Sequence, residues 1–257
     1  MNILTFSNQK GGVGKTTSVL NVSAGLAYKN FSVLAIDLDP QAHLTTAMGI
    51  SPYEQEITVY DLLLNQHDLP DATVNVFNEQ GRLDLIPSNI DLSTAIFEVI
   101  NEPGREFLLS SKIDRATLDY DYVLIDCPPS LDILTINALT AATGLIIPIQ
   151  KEYFSTHGIV QLMNVYNKVK EKLNKDLKLF GVLITLYDQR KIIHQEIAHA
   201  ISGTFPGRVF DTKIRNNIAL AESPSDSKDI FKYRNKSHGS EDYMNLVEEI
   251  IAGEKIG

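Results

Sequence analysis

Residues 6–21 read FSNQKGGVGKTTSVLN. Two lysines, Lys10 and Lys15, bracket a turn of Gly11, Gly12, Val13 and Gly14, and two hydroxyls, Thr16 and Thr17, follow. Glycines let backbone N–H groups converge on phosphate oxygens. A lysine adds fixed positive charge, and a threonine hydroxyl can ligate a divalent cation. Gly14-Lys15-Thr16 fits the end of the general phosphate-loop pattern G-x-x-x-x-G-K-[ST], but the pattern's first glycine falls on Gln9. Gly11 and Gly12 must therefore make the turn. On this pattern Lys15 reaches the β- and γ-phosphates of a nucleotide and Thr16 ligates Mg²⁺. A phosphate loop needs one lysine, so Lys10 is the residue to explain.

Carboxylates recur at two further places. In AIDLDPQAHLTT (35–46) Asp37 and Asp39 follow the second apolar run, and the carboxyl end of a parallel sheet is where both would lie near a bound nucleotide. In VLIDCPPS (123–130) an apolar run ends in Asp126, which puts a carboxylate at a strand tip, the usual place for holding the waters of a bound Mg²⁺. Cys127, next to it, reads as a small buried side chain rather than a redox group.

The elements that must position these groups are legible as short apolar runs separated by amphipathic stretches. Strands are expected at 2–7, 32–37, within 120–129, at 144–150 and at 177–185, with a further one at 82–87. Helices are expected from Thr16 to Tyr28, Thr156 to Asn174 and Glu241 to Ala252. Strands alternating with helices predict an α/β fold, a mainly parallel twisted sheet with helices on both faces. Residues 49–80 and 203–240 read as irregular.

The 257 residues suffice for one such domain, and no linker, repeat or low-complexity tract divides them. With 44% apolar and 21% charged residues, the composition is that of an ordinary globular chain. No apolar stretch is long enough to cross a membrane, and MNILTFSNQ is no secretion signal. The single cysteine excludes a disulfide framework within the chain. Together these predict a cytoplasmic protein. A formal net charge of −9 argues against nucleic acid, yet residues 186–236 hold nine basic against six acidic side chains, a locally basic segment on an acidic chain.

The stretch KGGVGKTT resembles the deviant Walker A loop of the ParA/MinD group of P-loop ATPases, and DLDPQ (37–41) and DCPPS (126–130) resemble that group's two switch segments. DCPPSLDILTINAL (126–139), PIQKEYFSTHGIVQL (148–162) and RNNIALAESPSDSKDIF (215–231) extend the likeness to ParA/Soj-type partition ATPases over nearly the whole chain. The resemblance implies ATP and Mg²⁺ as cofactors and a sandwich homodimer in which Lys10 reaches the partner's phosphates. It also implies Asp39 as the residue that positions the attacking water, Asp37 and Asp126 in the metal shell, and Asn217 beside Arg215 at the adenine. It further implies a ParB-like activator and non-specific binding to nucleoid DNA, with Arg208, Lys213 and Arg215 as candidate contacts.

Departures are local. Asn216 and Ala219 stand where the family usually carries arginines associated with DNA, and Asp132 replaces a common glycine, which is expected to stiffen its loop. The tail YMNLVEEIIAGEKIG is acidic, unlike the basic lipid-binding helix of MinD-like relatives, so no membrane role is expected. The chain starts on its first strand, with no helix-turn-helix extension expected. Two alternatives stay open: an ATPase that positions a protein cargo on the nucleoid, and a nucleotide-switched binding module without DNA affinity.

Overall fold

The computed structural model describes residues 1–64, 67–113, 119–150, 157–188 and 190–254. The strands are β1 (Asn2–Phe6), β2 (Ser32–Asp37), β3 (Val74–Asn78), β4 (Arg82–Ile86), β5 (Tyr122–Asp126), β6 (Gly144–Gln150) and β7 (Lys178–Thr185). They form one sheet in the order β3-β4-β2-β5-β1-β6-β7. Every neighbouring pair is parallel except β3 with β4. The expected mainly parallel sheet is therefore present. The antiparallel edge strand β3 lies inside the stretch read as irregular. Its sequence, VNVFN, buries only Phe77, so its apolar signal is weak.

The helices are α1 (Lys15–Tyr28), α2 (His43–Ala47), α3 (Val59–Leu63), α4 (Leu92–Glu98), α5 (Leu108–Lys112), α6 (Ile133–Ala141), α7 (His157–Lys172), α8 (Ile192–Thr204), α9 (Ile218–Glu222), α10 (Ile230–Arg234) and α11 (His238–Glu254). The five-residue α9 and α10 fall in the second stretch read as irregular. Each is announced only by its cap: Asn217 accepts from the Ala219 N–H, and Asp229 from the Lys232 N–H. The last helix starts three residues before the expected Glu241. Of the expected 156–174 helix, residue 156 lies outside the described residues.

Strand side chains alternate between two cores, as a pleated strand covered on both faces requires. Leu34 and Ile36 of β2, Val123 and Ile125 of β5, and Leu145 and Ile147 of β6 join one core, shared with α4, α5, α6 and α7. Val33 and Ala35, Tyr122 and Leu124, and Ile146 join the other, shared with α1, α2 and α11. Full burial of each Leu or Ile contributes about 2 kcal/mol relative to exposure. Helix α1 is pressed close to α11: a Cβ built on Gly25 would lie 2.8 Å from a Val247 methyl. The Ser18 hydroxyl also meets the buried Tyr243 hydroxyl at 3.1 Å. The helix that carries the glycine-rich loop is thus fixed to the last helix of the chain. Among the described residues no helix is long and apolar enough to cross a membrane.

Candidate active site

The parallel register brings the carboxylates together. Asp126 at the end of β5 is level with Phe6 of β1 and with Asp37 of β2. Parallel neighbours lie about 4.8 Å apart, so Asp37 and Asp126 sit side by side at the sheet's carboxyl edge. The glycine-rich loop leaves β1 at that same edge. The strand does not continue to Asp39. It stops at Asp37, whose Oδ1 accepts the Asp39 N–H at 3.2 Å, so a turn rather than the pleat places the second aspartate.

The loop is shaped by two left-handed glycines, Gly12 (φ 75°) and Gly14 (φ 86°). A Cβ built on Gly11 or Gly12 would meet nothing within 4 Å, so the inner face of the turn is open. Gly14 caps α1 with no side chain, which leaves the first N–H groups of a 14-residue helix aimed at that opening. Three partners outside the expected set hold the loop's shape. The Asn8 amide donates to the Pro148 carbonyl at 2.7 Å, its Oδ1 accepts the Lys10 N–H at 3.0 Å, and the Thr185 hydroxyl donates to the Val13 carbonyl at 2.8 Å. Nothing in the local sequence marks Thr185, because it comes from the far end of β7.

Lys15 is buried, and its ammonium donates to the Lys10 carbonyl at 3.2 Å. Burial lowers its pKa, opposed by the charges of Asp126, Cys127 and Asp39. Lys10 itself is exposed at the rim of the loop. The Thr16 hydroxyl donates to Asp126 Oδ2 at 2.6 Å. Thr17 begins the outer turn of α1, and its carbonyl accepts from Asn21.

The two strand-end aspartates are almost wholly withdrawn from water. Burial pushes Asp37 up to about 6, against the pull of bonds from Thr45 and Asp39. Burial also raises Asp126 well above the usual carboxylate range, with Asp37 adding to the shift. Asp126 Oδ1 is buried without a hydrogen-bond partner. Thr45 on α2 donates to Asp37 Oδ2 from both its N–H (2.8 Å) and its hydroxyl (2.7 Å). It is a functional neighbour the sequence reading missed, signalled only by the threonine pair after the DLDPQ turn. Asp39 is nearly buried, and its Oδ1 accepts the Gln41 N–H.

Adjacent desolvated carboxylates with an orphaned oxygen suit a cation. Among the described residues there is no group of three or more His, Cys, Asp or Glu side chains that could hold a metal ion. Asp37 and Asp126 would therefore need the Thr16 hydroxyl, phosphate oxygens and water to complete an octahedral shell, which is how Mg²⁺ is commonly held.

The other candidates lie further out. Ile214 and Tyr187 pair the 214–216 segment beside the end of β7, the strand whose Thr185 holds the loop. This brings Arg215 and Asn217 to the loop's side of the sheet. Arg215 is turned to α11. Its guanidinium binds both oxygens of buried Asp242 and, at 2.6 Å, Glu241, and its N–H also donates to Asp242. Asn217 spends its Oδ1 on the α9 cap. Ala219 is buried, so that position faces the core rather than solvent. Arg208 is exposed, and Lys213 lies over the Tyr187 ring with 5.6 Å to its centroid.

Asp132 has an ordinary φ of −89° and caps α6, accepting from the Leu134 N–H and from the Ser130 hydroxyl. The backbone there does not require glycine, and the Asp132 side chain serves as a helix cap. Cys127 is fully buried beside the Thr5 hydroxyl, and burial pushes its thiol up to about 12, as expected of an inert side chain.

The family described as an AAA domain matches residues 1–179. The sporulation initiation inhibitor protein Soj of Bacillus subtilis is 40% identical over 250 residues, covering 97% of this chain and 98% of its own. The chain belongs to the ParA/Soj family of P-loop ATPases. The chromosome partitioning protein ParA of Caulobacter vibrioides, 38% identical over 257 residues, covers 99% of the chain and 96% of its own length. Among solved structures, cobyrinic acid a,c-diamide synthase from Mycobacterium smegmatis with a bound ATP analogue and magnesium superposes with a TM-score of 0.86. It is 33% identical, over 99% of this chain and 96% of that one.

Proposed function

We propose that this chain is a partition ATPase. It binds ATP with Mg²⁺, closes into a homodimer around two nucleotides, holds non-specific DNA in that state, and hydrolyses ATP slowly until a ParB-like partner stimulates it. The observation that carries the reading is the union of a two-lysine phosphate loop with a buried aspartate pair at one sheet edge. The full-length similarity to Soj and ParA supports it. The setting is the cytoplasm, on the nucleoid.

Bound Mg-ATP supplies a phosphoanhydride activated by metal charge. The protein's part follows from its own contacts. Lys15 leaves the Lys10 carbonyl for phosphate, exchanging one weak acceptor for an anion. The Thr16 hydroxyl, which donates to Asp126 Oδ2, would be the protein's hydroxyl ligand for the metal. Gly11, Gly12, Val13, Gly14 and the N–H groups of Lys15, Thr16 and Thr17 line the phosphates. Asp37 and Asp126 would hold the metal shell together with the Thr16 hydroxyl, and Asp39, placed by its turn, would orient the attacking water. Lys10, exposed at the rim, reaches the phosphates across the dimer. Asn217 offers its amide donor to the adenine, with Arg215 keeping that segment in place.

For DNA, the engagement of Arg215 with Asp242 and Glu241 favours other cations. Arg208 lies with Lys170, Lys175 and Lys178 around a cavity of about 820 Å³ at the sheet edge opposite the phosphate loop, and Lys213 lies nearby in sequence. Asp176, Asp211 and Glu249 share that lining, and Glu249 is occupied by the Asp211 and Thr212 N–H groups.

The deciding experiment compares the intact protein with Lys10→Ala for ATP-induced dimers by light scattering and for binding to random-sequence DNA at two salt concentrations. The expected result is ATP-dependent, salt-sensitive binding that disappears with the dimer in Lys10→Ala. ATP-independent binding, or dimers unaffected by Lys10→Ala, would refute the reading.

A further inference from the structure

Helix α4 continues into the 3-10 turn Val99–Asn101, and its inward stripe is already spent: Leu92, Ala95 and Val99 are buried. Yet Ile90, Phe97 and Ile100 also recur at helical spacing, on the outward side, with Phe97 76% exposed. The Arg105 guanidinium binds the Ile100 carbonyl and so draws the next turn, with exposed Phe107, alongside. Beside this face runs a groove of about 530 Å³ with Leu62, Val99, Pro103 and Leu108 in its wall and Glu98 and Glu102 at its margin. Four large apolar side chains in one short segment exceed the scattered exposure of an ordinary surface.

Charge says what would cover them. Segment 89–107 carries four carboxylates, Asp91, Glu98, Glu102 and Glu106, against one cation. That cation, Arg105, is taken up by the Ile100 carbonyl and Glu106. Lys112, at the groove's far wall, is held by the His67 carbonyl and Asp68. An apolar strip edged by negative charge is complementary to an amphipathic segment with basic flanks.

The same face is tied at both ends to the site. Before α4, the Ser88 N–H donates to the Thr45 hydroxyl, which donates to Asp37. After it, Asn137 of α6 accepts the Leu109 N–H and donates to the Arg105 and Ile133 carbonyls, and α6 is the helix capped by Asp132.

We propose that the face formed by Ile90, Phe97, Ile100 and Phe107, with its groove, docks a cationic amphipathic segment of a protein partner and passes that contact to both aspartate loops. That the partner is the ATPase activator rests on the function proposed above; the docking does not. The test uses the full chain and a labelled leucine–lysine amphipathic peptide, with a leucine–glutamate peptide of the same pattern as control. Binding is read by anisotropy in the wild type, Phe97→Ser with Ile100→Ser, and Glu98→Lys with Glu102→Lys. ATP turnover and thermal melting are read in parallel. The expected result is that the basic peptide binds the wild type and both variants bind it at least tenfold more weakly, with melting unchanged and the acidic peptide inert. Equal binding by the two peptides, or wild-type affinity in both variants, overturns the docking. Loss of ATP-induced self-association in Phe97→Ser with Ile100→Ser assigns the face to a second copy and also overturns it. Specific binding to a chain that turns over no ATP upholds the docking while removing the activator role.

Discussion

Replacing Asp37 by asparagine should make the ligand-free protein more stable and its response to Mg-ATP weaker. Folding moves the Asp37 carboxyl from 3.8 to about 6 by burial. At 1.36 kcal/mol per unit, keeping it ionised at pH 7.5 costs the folded state about 3 kcal/mol. Asparagine removes that cost and keeps an oxygen for Thr45, but turns its amide toward the Asp39 N–H, forfeiting a 3.2 Å bond worth about 1 kcal/mol. The net gain is about 2 kcal/mol, or about 4–8 °C in melting temperature for a chain of this size. The sign with pH follows from the raised value. Below 3.8 the carboxyl is protonated in both states and the wild type bears no penalty. The penalty grows between 3.8 and about 6 and is complete above. The advantage of Asp37→Asn should therefore be smallest near pH 4 and level off past pH 6. Calorimetric melts of both proteins at pH 4.5, 6 and 7.5, with and without Mg-ATP, make the test. A destabilised variant at pH 7.5, or a difference independent of pH, would refute the reasoning. So would an undiminished upward shift with Mg-ATP.

Thr16→Val should leave the fold intact but weaken Mg-ATP binding at least tenfold by titration calorimetry, since the hydroxyl that bonds Asp126 is the one the proposed function gives to the metal. Asp132→Ala should lower stability by about 1 kcal/mol through loss of the α6 cap, whereas Asp132→Gly should cost only a few tenths; urea melts separate the two. Arg215→Ala should cost about 2 kcal/mol by leaving buried Asp242 without its cation, seen as a lower urea midpoint. Its effect on DNA should be no larger than that of Arg208→Ala with Lys178→Ala, measured by anisotropy at low salt.

The sheet was legible because each central strand is a short unbroken apolar run buried on both faces, as SVLAID and GLIIPIQ illustrate. The phosphate loop and the two strand-tip aspartates were legible because a local motif at a strand end fixes their place. What escaped depended on distant partners. Thr185 and Asn8 hold the loop through bonds spanning 172 and 140 residues, a separation that no window of sequence registers. Arg215 looked like a surface cation in a basic segment, but its partner Asp242 lies 27 residues on, across a helix boundary. The α9 and α10 helices were hidden by brevity, since five residues make little more than one turn of periodicity.

Neither margin of the sheet is a long flat edge. On one side β3 is short and its ladder is interrupted between Asn75 and Phe77. On the other, residues 208–214 pair with β7, the Val182 N–H donating to the Arg208 carbonyl and the Phe210 and Ile214 N–H groups donating back. A parallel sheet left open at its rims invites strand-by-strand recruitment of further copies, an association with no natural end. This chain has little backbone to offer for that. Such edges favour meetings through side chains and loops, contacts that can be made and dissolved without unfolding anything.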